Sequence, residues 1–134
     1  MSDAPSDMPI QIQFTALFKR RINGLGKRYR NIKIDIQPLL SQLLTGKLPG
    51  DQIAGTNYNV YKVRAKNSDT KLGKSGGYRV IYQLENPKLI VLHLIYSKSD
   101  QATITAKQIK EMIKDFQIEQ SEDLDSTSCL DLTV

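Results

Sequence analysis

The chain has a single cysteine, Cys129, and a single histidine, His93, among 134 residues. One thiol in a polar stretch provides neither a disulfide framework nor a thiolate metal site. One imidazole excludes acid–base chemistry of the two-histidine ribonuclease kind. No metal-ligand cluster accompanies His93. Between Leu92 and Leu94 it reads as a hydrogen-bonded structural residue. No apolar run approaches the roughly 20 residues that would span a bilayer. The opening Met1-Ser-Asp-Ala-Pro-Ser-Asp7 lacks the basic and apolar regions of a secretory signal, so the cytoplasm is the expected compartment.

Acids are also scarce where it matters. The net charge of +5 hides an asymmetry: all 19 Lys and Arg lie at or before Lys114, and five of the 14 acids fall in residues 119–134. Residues 1–118 thus hold 19 cations against nine acids, a net +10, while the tail is −5. A body this basic expects a polyanionic partner, nucleic acid or an acidic protein.

Hydrophobic content of 40% and a length of 134 residues suit one small core. Residues 1–9 are polar and expected to be disordered. Ile10–Thr15 alternates apolar and polar, the period of a half-buried strand. A helix is predicted over Leu17–Tyr29, with Lys19, Arg20, Arg21, Lys27 and Arg28 on its outer face. A second is predicted over Ile36–Leu44, with Asp35 as N-cap and Pro38 in the first turn. Residues 48–55 read as a loop.

Alternation then sorts residues 58–66 into Val60, Lys62, Arg64 and Lys66 on one face and Tyr61, Val63 and Ala65 on the other. Tyr78–Leu84 places Arg79, Ile81 and Gln83 opposite Tyr78, Val80 and Tyr82. Leu89–Lys98 is nearly all apolar, as in a central strand covered on both faces. Thr105 and Gln108 match a capping box, and Ile104 with Ile109 a hydrophobic staple, so a last helix begins there. Residues 119–134 read as a mobile acidic tail.

The order β-α-α-β-β-β-α predicts an α+β domain over residues 10–118. Its small, mixed, mainly antiparallel sheet would have the helices packed on one face and the other face open. Lys62, Arg64 and Lys66 would point to the open face, because unpaired cations do not enter an apolar core.

Gly73-Lys-Ser75 resembles part of a nucleotide-binding P-loop, but Ser68 stands where that motif needs its first glycine. The stretch also runs into a strand instead of a helix. Gly76-Gly77 reads as a tight, positive-φ turn. Lys71 and Lys74, with nearby amides, suit a phosphate. Cations from three neighbouring strands, with Tyr96 at the rim, form a surface suited to an RNA backbone and its unstacked bases.

Three runs carry a family resemblance: Val60-Tyr-Lys-Val-Arg64, Gly73-Lys-Ser-Gly-Gly-Tyr-Arg-Val-Ile-Tyr82 and Ile95-Tyr-Ser-Lys98. Together they resemble the RelE/ParE toxin superfamily, and the Gly-Lys-Ser-Gly-Gly form is most like its HigB-like branch. The resemblance spans about residues 10–117. It implies the toxin of a type II toxin–antitoxin system that cleaves mRNA, commonly on the ribosome, without metal or cofactor. A cognate antitoxin, a helix-turn-helix protein or an acidic segment, would hold it inactive. The mechanism implied is attack by the ribose 2′-OH on the adjacent phosphate, leaving a cyclic phosphate and a 5′-OH.

By the resemblance Arg79 is a functional position that holds the scissile phosphate, since guanidinium matches two phosphate oxygens. Lys62 takes the general-base role, and Lys98 or Tyr96 protonates the leaving 5′-oxygen. From their own charge and placement, Arg64, Lys66, Lys71 and Lys74 are expected to bind the RNA backbone. The chain departs from RelE-like enzymes in having Arg64 where they have a second lysine and Ser99 where they have an arginine. Thr103 and Thr105 occupy the region of a later family tyrosine. These departures keep two alternatives open: a non-enzymatic toxin of the same fold, as the ParE branch is with gyrase, and an inactive RNA- or antitoxin-binding module.

Overall fold

The computed structural model describes residues 9–69, 77–98 and 104–122. Its elements are β1 (Gln11–Phe14), α1 (Ala16–Gly26), α2 (Ile32–Leu44), β2 (Asp51–Gln52), β3 (Val60–Ala65), β4 (Tyr78–Asn86), β5 (Leu89–Ser97) and α3 (Ala106–Glu122). The strands form one five-stranded sheet in the order β1-β5-β4-β3-β2. Only the β1–β5 pair is parallel. The α+β class and the mixed, mainly antiparallel sheet are as expected. Lys71, Lys74, Ser99, Thr103, residues 1–8 and residues 123–134 lie outside the described residues.

The alternation read from β3 and β4 builds two cores. On one sheet face, α1 and α2 supply Phe18, Ile22, Ile36, Leu39 and Leu43 against Ala65, Tyr78, Val80, Tyr82, Leu92 and Ile95. On the opposite face, Ile109 and Ile113 of α3 pack against Val60, Ile81, Leu94 and Tyr96. The expectation of all helices on one face is therefore corrected. Val60, Ile81 and Leu94 are apolar and point away from α1 and α2, so that face needs its own cover. Burying Ile109 and Ile113 stabilises α3 there by about 1.5–3 kcal/mol each.

Local chemistry sets the element ends. Thr15 caps α1, its hydroxyl accepting from the Phe18 amide at 3.0 Å and donating to the His93 carbonyl at 3.2 Å. The helix ends at Gly26, three residues before the predicted stop at Tyr29, with Lys27 as C-cap. The second helix starts four residues earlier than predicted, at Ile32, and Pro38 lies in its interior. Asp35 is thus not the N-cap; Asn31 is, and its side chain makes no capping bond. The Asp35 carboxylate instead accepts from the Ser68 amide at 2.9 Å and hydroxyl at 3.1 Å. Asp69 accepts from the Asn31 amide at 3.0 Å, so two carboxylates pin the end of the β3 segment to the start of α2.

The predicted loop at residues 48–55 contains β2, which pairs with β3 through Asp51↔Lys62 and Gln52↔Tyr61. Gly50, at φ +96°, makes this possible: a Cβ there would overlap the Lys62 carbonyl. The Tyr82 hydroxyl donates to the Pro49 carbonyl at 2.6 Å and fastens the same turn from the sheet. At α3 the capping box is present: Gln108 N–H donates to Thr105 Oγ1 at 3.1 Å, and Thr105 N–H to Gln108 Oε1 at 2.9 Å. Helical backbone continues to Glu122, so residues 119–122 of the predicted tail are helical, and the rest of it lies outside the described residues.

Candidate nucleic-acid interface

Register places the predicted residues in rows across the α3 side of the sheet. One row is Lys62, Ile81 and Leu94; the next is Arg64, Arg79 and Tyr96. Residues directly opposite on neighbouring strands have Cβ atoms about 4.5–5.5 Å apart, so each row is a line of neighbouring side chains. Continuing the alternation sets Lys66 and Lys98 on either side of Gly77, whose carbonyl accepts from the Lys98 amide at 3.0 Å. Lys62, Arg64, Lys66, Arg79, Tyr96 and Lys98 are thus gathered at one end of one face.

Gly77 lets this end close up. A Cβ at Gly77 would overlap the Ala65 carbonyl oxygen. The turn expected of Gly76-Gly77 begins at Gly76, outside the described residues; at Gly77 the glycine serves the close approach of two strands. Among the described residues, no side chain stands between Lys66 and Lys98 in the row beside Arg79.

The face is less exposed than predicted. Lys66, Arg64 and Lys98 are exposed and Lys62 is half-buried, but Arg79 is only 5% exposed and Tyr96 3%. Arg79 donates through Nη1 to the Tyr78 carbonyl at 3.3 Å. Burial lowers its pKa, the facing Arg64 guanidinium lowers it further, and Tyr96 acts in the opposite direction. Guanidinium starts so high that it stays protonated, so the strain falls on the cation and not on its charge state. Two like charges directly opposite destabilise a sheet, and an anion between them relieves this.

Tyr96 is raised in pKa by burial, partly offset by Arg79. Its phenol keeps its proton at neutral pH and can donate but not accept it as a base. Its hydroxyl is buried and has no hydrogen-bond partner among the described residues. Lys62 has Asp51 directly opposite on β2. Sequence reading missed this carboxylate at the rim because two residues after Pro49-Gly50 carry no strand period.

His93 sits at a register shift, between Ile81↔Leu94 and Tyr82↔Leu92. Its Nε2 lies 2.8 Å from Gln83 Oε1, and its ring meets Phe116 edge-on at 5.5 Å. Burial pushes its pKa down to about 4, so it is neutral at pH 7. It is structural, as read from the sequence, and belongs to the α3 seat.

Beyond α3, at the other end of the same face, a cleft of about 680 Å³ is lined by Gln52, Asn59, Gln83, Glu85 and Gln117 among others. No cation lines it among the described residues, so there the α3 seat separates an amide-rich end from a basic one. Among the described residues no group of three or more His, Cys, Asp or Glu could hold a metal ion. No helix among them is long and apolar enough to cross a membrane.

No family model matches the chain, and no curated protein matches it significantly.

Proposed function

We propose that the chain is a type II toxin of RelE/ParE kind, a metal-independent endoribonuclease that cleaves mRNA, ribosome-associated, in the cytoplasm. The observation that carries the reading is the Arg64–Arg79–Tyr96 row, flanked by Lys62, Lys66 and Lys98. In this reading the scissile phosphate lies over Arg64 and Arg79, and the guanidinium of Arg79 stabilises its developing charge. Lys62, one row away, takes the 2′-OH proton. The 2′-oxygen bonds to phosphorus as the bond to the 5′-oxygen breaks, and Tyr96 or Lys98 supplies the proton to that leaving oxygen. Tyr96 carries its proton at neutral pH with its hydroxyl buried, and Lys98 is the exposed donor of the two.

The same basic end suits the carboxylates of a cognate antitoxin. Expression of the chain in bacteria is expected to arrest growth and to create new 5′-OH ends within translated mRNA. A strain making the Arg79→Ala variant is expected to grow and to lose those ends. Arrest without new ends, together with inhibited supercoiling by purified gyrase, would replace the reading with the ParE-like one.

A second reading has a specific observation in its favour. Arg79 is 95% buried, which leaves little of its head for phosphate and fits a binding module that does not cut. That module would bind RNA in a salt-dependent manner and leave it intact.

A further inference from the structure

The arginines of α1 and of the turn after it are exposed, as expected of an outer basic face, and they also line a concave site. Arg20, Arg21 and Arg28 border a cleft of about 330 Å³ between α1 and β5, whose other wall is Ile95 and Tyr96. We infer that this cleft is a second RNA-backbone subsite, taking phosphates of the strand that flanks the scissile nucleotide. The inference rests on the RNA reading above and assigns that site a direction.

The position of the cleft follows from the sheet. β1 pairs with β5 only as far as Phe14↔Leu92, and β5 continues to Ser97. Past Leu92 the edge of β5 has no neighbouring strand on that side among the described residues, and α1 runs beside it. Ile95 belongs to the core under α1 and Tyr96 to the core under α3, so the cleft wraps around the strand edge from one face to the other. Tyr96 is also the last member of the Arg64–Arg79 row. A backbone lying over that row and continuing past Tyr96 enters the arginine cleft.

The chemistry of the lining is one-sided. Among the described residues no carboxylate borders the cleft. Arg28 is positioned by its neighbour, with its guanidinium 4.8 Å from the Tyr29 ring centre and Nη2 donating to the Tyr29 hydroxyl at 2.9 Å. Gly24, on the cleft floor, would meet nothing within 4 Å if it carried a Cβ, so there is room over the helix. The buried Tyr96 hydroxyl, without a partner among the described residues, lies at the junction of the two sites. Arg20 also borders an adjoining cavity with Asp115 and Glu119, and those acids mark the side on which a phosphate track would end. Planar, weakly hydrated guanidinium groups without acids between them suit successive phosphates.

The test compares a three-nucleotide and a twelve-nucleotide 2′-O-methyl RNA, neither of which can be cleaved, by fluorescence anisotropy over a salt series. For the natural chain the long RNA is expected to bind far more tightly. In Arg20→Gln/Arg21→Gln, the long-to-short affinity ratio is expected to fall about tenfold. The salt slope for the long RNA should drop by roughly 1.4, the value for two lost phosphate contacts on a single strand. Both residues are exposed, so the fold is expected to survive, and circular dichroism checks this. An unchanged ratio and slope would overturn the inference. If Arg79→Ala still weakened both RNAs, the RNA reading would survive that failure; if neither variant changed RNA binding, both would fall. Loss of binding to polyglutamate with RNA binding unchanged would assign the cleft to an acidic protein instead, again overturning the inference.

Discussion

Arg64 and Arg79 stand directly opposite each other across β3 and β4, with Arg79 the more deeply buried. Like charges in that position oppose folding, and Arg64 lowers the cost by reaching solvent. Removing Arg64 is therefore expected to relieve the fold while harming the site. Arg64→Gln should raise stability by about 0.5 kcal/mol in urea unfolding and weaken RNA binding several-fold.

Tyr96→Phe separates fold from chemistry. The hydroxyl it removes is buried without a partner among the described residues, so its loss should leave stability unchanged or raise it by about 1 kcal/mol. If that hydroxyl supplies the leaving-group proton, turnover should fall by about a hundredfold or more at unchanged RNA affinity. Single-turnover cleavage beside a binding isotherm makes the comparison.

The His93–Gln83 pair gives α3 a pH dependence. Burial holds the folded pKa of His93 at about 4, against about 6.5 when unfolded. Below pH 6.5 the unfolded chain takes up the proton and the folded one does not, so this contribution is complete above pH 6.5 and is lost as pH falls toward 4. Between pH 7 and pH 5 the loss is about 2 kcal/mol. Urea unfolding at the two pH values should show that extra loss in the natural chain and not in His93→Gln.

Two glycines make a matched pair. Gly77→Ala forces β4 away from the Ala65 carbonyl and should destabilise by about 1–3 kcal/mol, displacing Arg79 with it. Gly24→Ala, in α1 with open space around it, should stabilise by about 1 kcal/mol through helix propensity. Equal effects of the two substitutions would contradict the packing described for Gly77.

β1, β3, β4, β5 and the capped start of α3 are legible in the sequence because their signals are local, whereas the two-residue β2 carries no period. Alternation in Tyr78–Leu84 assigned Arg79 and Tyr78 to opposite faces, and Thr105 with Gln108 marked a helix start. The cover on the second face is not legible because the joint burial of Val60, Ile81 and Leu94 depends on register between three strands. Asp35 was misread for a related reason. A carboxylate near a helix start looks like a cap, but its partner is Ser68, 33 residues away. Of the site, Lys62, Arg64 and Arg79 could be placed from residue parity alone. The burial of Arg79 and the opposition of Asp51 to Lys62 could not, since both arise from chain segments distant in sequence.

The central claim is that the Arg64–Arg79–Tyr96 row cuts RNA. Purified chain, mixed with translating ribosomes and then chelator, should cleave the bound mRNA and leave cyclic phosphate and 5′-OH ends. Arg79→Ala should lower the single-turnover rate by about 100- to 1000-fold. Intact mRNA with the natural chain, or an undiminished rate in Arg79→Ala, would contradict it.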